Sequence, residues 1–580
     1  MVPSQPRHLL LTFTFILMIP QMHSSHDRRT YVVYMGEIPK GMNSTSLQSL
    51  HKNMAQRVLG SDFAPEAILY SYVKSFNGFV LKLTQEEAER MAALQVFKGL
   101  AWGLQEVQFH QHVVYKVCWS SQPCNVADIL AAFDEAIADG VDIISTSIGG
   151  FAPWVLSVAA STIDRKFFTE VQLGNGMVYE GVSINIFDLE NKMYGLIYAG
   201  DAPNITGGYN HSTSRLCSEN SLDNNLVKGK IVLCDNFLDT TGLLSGAAGV
   251  LVANTDPKDV AFSYALPTTH LSLKDNILIQ SYMNSTSNPT ATILTSNVGY
   301  DSSAPYIMSL SSRGPNPFAP NILKPDLAAP GFDILAAWSP LGSPSGFTGD
   351  KRAVHYNIMS GTSILSPHAA GAAAYVKSFH PNWSSAAIKS ALMTTATPMS
   401  PILNPEAEFT YGAGHIDPVK AVNPGLVYDA SEDDYLKFMC GQGYDARKLQ
   451  TVSGDGSSCS SEGKNGTVWD LNQPSFALSA TISASIGPVV YRRTVTNVGS
   501  ATSTYKAKVI ASHLLNIEVN PSILSFTQMG QKKSFTVTIE GTINVPIVSA
   551  ALVWDDGIVQ VRGPIVVYDV SYAKRENSTS

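Results

Sequence analysis

Gly361-Thr362-Ser363, running on through Ile364, Leu365, Ser366 and Pro367 to His368, is the stretch of this chain whose residue types could do covalent chemistry. Ser363 stands at the head of a run that reads as a helix, where backbone amides and the helix dipole favour negative charge. A serine there suits a nucleophile whose developing oxyanion needs donors. It equally suits a plain helix cap. Attack by a serine hydroxyl requires a base for its proton, a group to orient that base, and donors for the oxyanion. Thirteen histidines are candidates for the base. His368 follows Ser363 by five positions on one helix, so at ~100° per residue it points roughly 140° away. His355 precedes the turn in a strand, and His110 and His112 fall in no catalytic context. Each reads as structural or solvated.

The segment from Asn357 to Ala396 must position Ser363. It opens as a short apolar strand, turns at Ser360-Gly361 and enters a helix at Thr362. Pro367 is tolerable in that helix because first-turn amides have no intrahelical partner. Ala369, Ala370, Gly371, Ala372, Ala373 and Ala374 are too small and apolar to face water, so the spacing predicts a buried helix with another backbone close against it. This segment resembles the nucleophile segment of subtilisin-like serine proteases, and most closely the plant cucumisin-like branch. SSRGPNP (Ser311 to Pro317), LKPDLAAPG (Leu323 to Gly331) and YGAGHIDPVKAVNPGLVYD (Tyr411 to Asp429) resemble further blocks of that family.

The resemblance implies that Ser363 is the nucleophile. It also implies that Ser147, Ile148 and Gly149 form an edge on which a peptide substrate pairs as an added strand. The fold it implies is α/β, a subtilisin-like parallel sheet flanked by helices and truncated here. An α+β propeptide domain, an inserted protease-associated-like β domain and a C-terminal fibronectin type III-like β-sandwich accompany it. Protein or peptide substrates and the chain's own propeptide are the implied partners, with no cofactor and no metal.

Two departures stand out. After Gln95 the family carries an aspartate block of the D-T/S-G type and a histidine block, H-G-T-H; this chain reads VFKGLAWGLQEVQFHQH and joins VVYKVCW at Val113. The second lies after the buried strand expected at Val141 to Ser147. There Gly149 runs to Trp154 in a few residues, whereas two parallel neighbours need a crossover of about a dozen or more. The strand lost at that place would lie between these two, and the oxyanion asparagine is lost with its block. Ile364, Leu365 and Ser366 also depart from the usual G-T-S-M-[AS]-C-P-H. The expectation is a secreted serine endopeptidase by family that is inactive in this chain. The alternatives are a non-catalytic secreted peptide- or protease-binding protein, or a truncated product of a decayed or mis-spliced gene.

The rest of the chain fits that frame. At 580 residues there is room for three or more domains. A net charge of −8 argues against a nucleic-acid partner. Arg7 and His8, the apolar run Leu9 to Ile19, and Ser24-Ser25 read as a signal peptide, too short to span a bilayer. No later stretch reads as a membrane span, so the expected location is extracellular, in the apoplast or cell wall by the resemblance. Six cysteines fall in three local couples, Cys118 with Cys124, Cys217 with Cys234 and Cys440 with Cys459, although other pairings are open. No Cys-x-x-Cys or paired-histidine spacing suggests a metal. Sequons at Asn43, Asn204, Asn210, Asn284, Asn382, Asn465 and Asn577 are candidate glycosylation sites.

The expected boundaries are 1–25 signal peptide, 26–107 inhibitor-like propeptide and 108–429 incomplete catalytic domain. Within the last lies a protease-associated-like insertion at 183–296. A linker at 430–469, a sandwich at 470–572 and a tail at 573–580 follow. Thr84 with Glu87 makes a capping box. Asn125 to Gly140 reads as an amphipathic helix with Ile129, Leu130, Phe133 and Ile137 inward. The stretch Asp470 to Tyr568 is expected to fold alone.

Overall fold

The computed structural model describes residues 10–11, 29–34, 43–60, 67–72, 78–84, scattered positions between 87 and 140, and residues 141–571 apart from 148–149, 237–245, 254–259, 348, 447, 450–456 and 460–467. Two compact units emerge, one of Phe15–Val141 with Ala372–Trp383, the other of Met1–Thr14, Asp142–Gly371 and Ser384–Ser580.

In the first unit Gly78–Leu83 lies between Arg29–Tyr34 and Ile68–Tyr72, antiparallel to both. Phe79, Leu81 and Leu83, spaced by two, turn one way and are buried. They meet Met54, Ala55 and Val58 of the helix Ser44–Leu59. Asn43 caps that helix, its Oδ1 accepting from the Ser46 amide at 2.9 Å. The expected capping box is present: Thr84 N–H donates to Glu87 Oε2 at 2.8 Å and Glu87 N–H to Thr84 Oγ1 at 3.3 Å. The chain is helical at 129, 132, 133, 136 and 137 and ends that turn at Gly140, φ +74°. Its inward face differs from the expectation. Ile129 and Phe133 of the expected stripe are half-buried, but Ala132 and Ala136 are the buried residues and Ile137 is 45% exposed. Asn125 and Leu130 lie outside the described residues.

In the second unit the parallel sheet is in pieces. The strand expected over Val141 to Ser147 is only Ile143–Ile144, paired parallel with Leu10–Leu11. Val158–Ser161 pairs parallel with Leu327–Pro330 in a separate sheet. The outer edge of Val158–Ser161 finds substitutes: Thr162 N–H donates to Tyr306 O, Met308 N–H to Ala160 O, and Ala160 N–H to Ser311 Oγ at 2.9 Å. A loop thus satisfies backbone groups that a neighbouring strand would otherwise take.

Arg165 to Tyr300 builds an eight-stranded mixed sheet, which encloses the residues 183–296 read as an insertion. Its centre holds Tyr194–Tyr198, Ile231–Cys234 and Gly249–Ala253, parallel to one another. Ile231 and Leu233 enter one core while Val232 and Cys234 enter the other. Both faces are covered, which is why these strands are continuously apolar.

The C-terminal β-sandwich packs the order Leu426–Tyr428, Ser485–Asn497, Lys532–Thr542, Leu515–Asn520 against a five-stranded sheet from Phe476–Ala480 to Ile523–Phe526. Trp554, Tyr491, Tyr505, Phe526 and Phe535 fill its core. Leu426 and Tyr428 also belong to that core, so the sandwich recruits a strand from well before Asp470. The expected linker 430–469 contains an ordered element. Glu432–Gly441 is a helix, boxed by Ser431 and Asp434, whose Phe438, Met439 and Cys440 are buried beside Ile322 and Leu471. Its Gly- and Ser-rich surroundings masked a capping box and an apolar turn.

Candidate active site

The hairpin Ile334–Ala337 and Tyr356–Met359 delivers the chain to Ser360-Gly361, and the helix Thr362–Phe379 follows, with Pro367 inside the helix and not in its first turn as expected. Gly361 has φ +153°, and its N–H donates to Gly331 O at 2.9 Å. The entry to the turn is tied from the other side. Asp333 N–H donates to Ser360 Oγ at 2.9 Å, and that hydroxyl faces Asp333 Oδ1 at 3.3 Å. Arg165 donates to Asp333 O at 2.8 Å. Burial pushes the Asp333 carboxyl up to about 6, against the opposing pull of Ser360 and Arg165.

Ser363 is exposed in the first turn of the helix, where the dipole and unpaired amides favour an anion. Among the described residues, none hydrogen-bonds to its hydroxyl. His368 does not approach it: the ring is exposed, and Nδ1 donates to Ile364 O one turn back at 3.1 Å. His355 is exposed beside the hairpin, and His110 and His112 lie outside the described residues.

One histidine escaped the sequence reading. His415 is half-buried, with Nε2 3.1 Å from Ser161 Oγ, and desolvation lowers its affinity for a proton. Its backbone bridges Ala328 and Thr397. Ser161 is fully buried, so this pair braces strands and offers no hydroxyl to a substrate. The signal available was its place in YGAGHIDP, just after small residues that let two backbones close there.

The helix is not buried all round, as its small residues had suggested. Ala369, Ala372, Ala373 and Val376 are buried. Gly371 is exposed, and a Cβ added there would meet nothing within 4 Å. Small side chains permit close approach, but nothing described approaches on this side. The helix is instead anchored through Ser366, whose Oγ lies 2.9 Å from Ser145 Oγ. That contact ties Ser145, just before the expected substrate edge, to the serine helix. Ser147 is exposed; Ile148 and Gly149 lie outside the described residues.

The disulfides Cys217–Cys234 and Cys440–Cys459 are formed. Cys118 is disulfide-bonded too, while Cys124 lies outside the described residues. Asn43, Asn210, Asn284 and Asn382 are exposed, Asn204 is half-buried, and Asn465 and Asn577 lie outside the described residues. Among the described residues no helix is long and apolar enough to cross a membrane.

Known proteins resemble the chain along most of its length. The description "Subtilase family" matches residues 103–443, "Peptidase inhibitor I9" matches 30–98, and "Fibronectin type-III domain" matches 470–567. Subtilisin-like protease SBT4.3 of Arabidopsis thaliana is 44% identical over 525 residues, 82% of this chain and 70% of that protein. SBT4.4 of the same plant is 39% identical, covering 92% of this chain and 78% of that protein. SBT4.8 is 34% identical over 718 residues, covering 95% of this chain and 97% of that protein. That alignment is longer than the whole chain of 580 residues. The relative therefore carries internal residues that this chain lacks.

Proposed function

Because the chain belongs to the subtilase family of serine proteases, we propose that Ser363 is the inherited nucleophile of a secreted endopeptidase and that this chain does not itself hydrolyse peptide bonds. The observation that carries this reading is the setting of Ser363, exposed at a helix head with no described side chain to take its proton. The helix supplies part of an oxyanion site, because its first amides and dipole remain. It supplies no base. His368, the nearest histidine in sequence, is committed to Ile364 O. Loss of a triad member costs several orders of magnitude and leaves only residual catalysis.

Peptides remain the chemical class that the site addresses. The exposed Ser147 and the adjoining segment are the remnant of an edge for an added strand. A second reading, a binding protein for peptides or partner proteases, is favoured by the Ser145–Ser366 contact, which ties the residues just before that edge to the serine helix without catalysis. An extracellular location is supported by the apolar run Leu9 to Ile19 and the disulfides.

The proposal has a consequence for processing. Release of the inhibitor-like residues 26–107 by self-cleavage needs a working triad, so they stay attached here. The test is N-terminal sequencing of secreted protein from a host with no subtilase of its own. A single terminus near His26 is expected. A terminus between Gln95 and Val113 that vanishes in Ser363→Ala would show self-processing and overturn the inactive reading.

A further inference from the structure

Residues 153–157 run into the strand Val158–Ser161, and side chains of Lys324, Asp326 and Lys389 hold their backbone groups. Lys389 Nζ donates to Pro153 O at 2.8 Å and to Val155 O at 3.1 Å. Lys324 Nζ donates to Val155 O at 2.7 Å. Ser157 N–H donates to Asp326 Oδ2 at 2.7 Å, and Asp326 N–H returns a bond to Ser157 O at 2.7 Å. Alternate residues of one segment are thus gripped on one side, as in a ladder.

Three ionisable groups make this grip. Asp326 Oδ2 is 2.6 Å from Lys324 Nζ, and Asp326 Oδ1 is 2.8 Å from Lys389 Nζ. Their side chains are only 1%, 3% and 5% exposed, in that order. Two ammoniums and one carboxylate would leave a net positive charge out of water, a costly arrangement. Lys389 donates to Pro153 O and Val155 O, and its Nζ lies near Asp326 Oδ1 without a hydrogen bond to it. Lys324 donates to Val155 O and Asp326 Oδ2, two bonds that the two N–H groups of a neutral amine satisfy. The grip can therefore give up one ammonium proton without losing a hydrogen bond.

We propose that Lys324, Asp326 and Lys389 form a proton-linked clasp: Lys324 sheds a proton when the clasp closes on residues 153–157 and recovers it when the clasp opens. Burial foremost, and the Lys389 charge, lower the Lys324 ammonium to about 7, against the pull of Asp326. Tyr435, packed against Trp154, also faces the trio; burial and then Asp429, Asp326 and Asp434 keep its phenol protonated. It adds no charge in the relevant range.

The sign of the linkage is definite. A group whose proton affinity is lowered in the closed state contributes stability that is full above 10.5, the value of a free lysine, and is lost as pH falls to about 7. Below that the dependence is flat. Hydrogen–deuterium exchange of the full chain, read in peptides spanning 153–161, tests this between pH 7 and 10. Base-catalysed exchange accelerates about tenfold per pH unit, while a linked proton lowers the open population about tenfold per unit. The expected result is a nearly flat rate for these peptides while loops elsewhere accelerate. In Lys324→Met the peptides should regain the tenfold dependence. Acceleration of these peptides in the unsubstituted chain overturns the proposal without any variant, and persistence of the flat rate in Lys324→Met overturns it equally.

Discussion

Ser145 and Ser366, more than two hundred positions apart in sequence, meet through their hydroxyls at 2.9 Å in a buried contact. Ser366 stands where the usual family pattern has a cysteine, so the serine helix is held to the strand at Ile143–Ile144 by a polar bond. Replacing either serine removes this bond, a loss of about 0.5–1.5 kcal/mol, and once one is gone the other has no such bond to lose. Urea midpoints should therefore fall for Ser145→Ala and for Ser366→Ala, and the double variant should lose less than the sum of the two. Additive losses would show that the contact does not couple the two elements.

The sandwich should need its borrowed strand. Leu426 and Tyr428 are 0% and 2% exposed within its core, and Leu426–Tyr428 pairs with Val495 to Asn497. A fragment from Asn423 to Ser571 is expected to melt cooperatively and at a higher temperature than one starting at Asp470. Leu426→Ala in the longer fragment should cost about 2–5 kcal/mol. Equal melting temperatures for the two fragments would remove the strand from the domain.

What the sequence revealed and concealed follows from where each signal sits. Ile231–Cys234 and Gly249–Ala253 were legible because strands covered on both faces are short apolar runs between turns. The Thr84–Glu87 box was legible because capping is local. Ile137 misled, since helical spacing reports a face but not which residues on it find a partner. Arg493 and the Lys324–Asp326–Lys389 trio were hidden because charge reads as surface. Arg493 in fact lies in the inward row with Tyr491 and Val495, donating to Gln473 O and Trp469 O. Those acceptors come from distant turns that no local pattern announces. The serine helix was recognised by its residues, but its open side at Gly371 was not, because small residues permit close packing without saying what packs there.

Asp333 should give the site a measurable pH dependence. Its folded carboxyl is raised to about 6 from 3.8, so its contribution is full below the lower value and is lost as pH rises through the higher one. Asp333→Asn keeps the shape and tolerates the positive φ of +56°. The difference in unfolding free energy between the variant and the unsubstituted chain is expected to change by up to about 3 kcal/mol from pH 4 to pH 6. An unchanged difference would place Asp333 in contact with water.

The asparagines should differ in glycan occupancy. Asn204 donates from Nδ2, the atom a glycan would occupy, to Asn220 O at 3.0 Å, and its Oδ1 accepts from the Gly207 amide. Exposed Asn284 and Asn382 have no such engagement among the described residues. Glycopeptide mass spectrometry of secreted protein should find occupancy at Asn284 and Asn382 and little at Asn204. High occupancy at Asn204 would mean that its loop closes only after modification.

The inactive reading rests on the ordinary proton affinity of an unassisted serine hydroxyl. Labelling of the purified, folded chain with a fluorophosphonate probe addresses that directly. No covalent adduct is expected at Ser363, in the same reaction that labels an intact subtilase to completion. An adduct at Ser363, absent from Ser363→Ala, would mean that a base reaches the hydroxyl after all and would contradict the account.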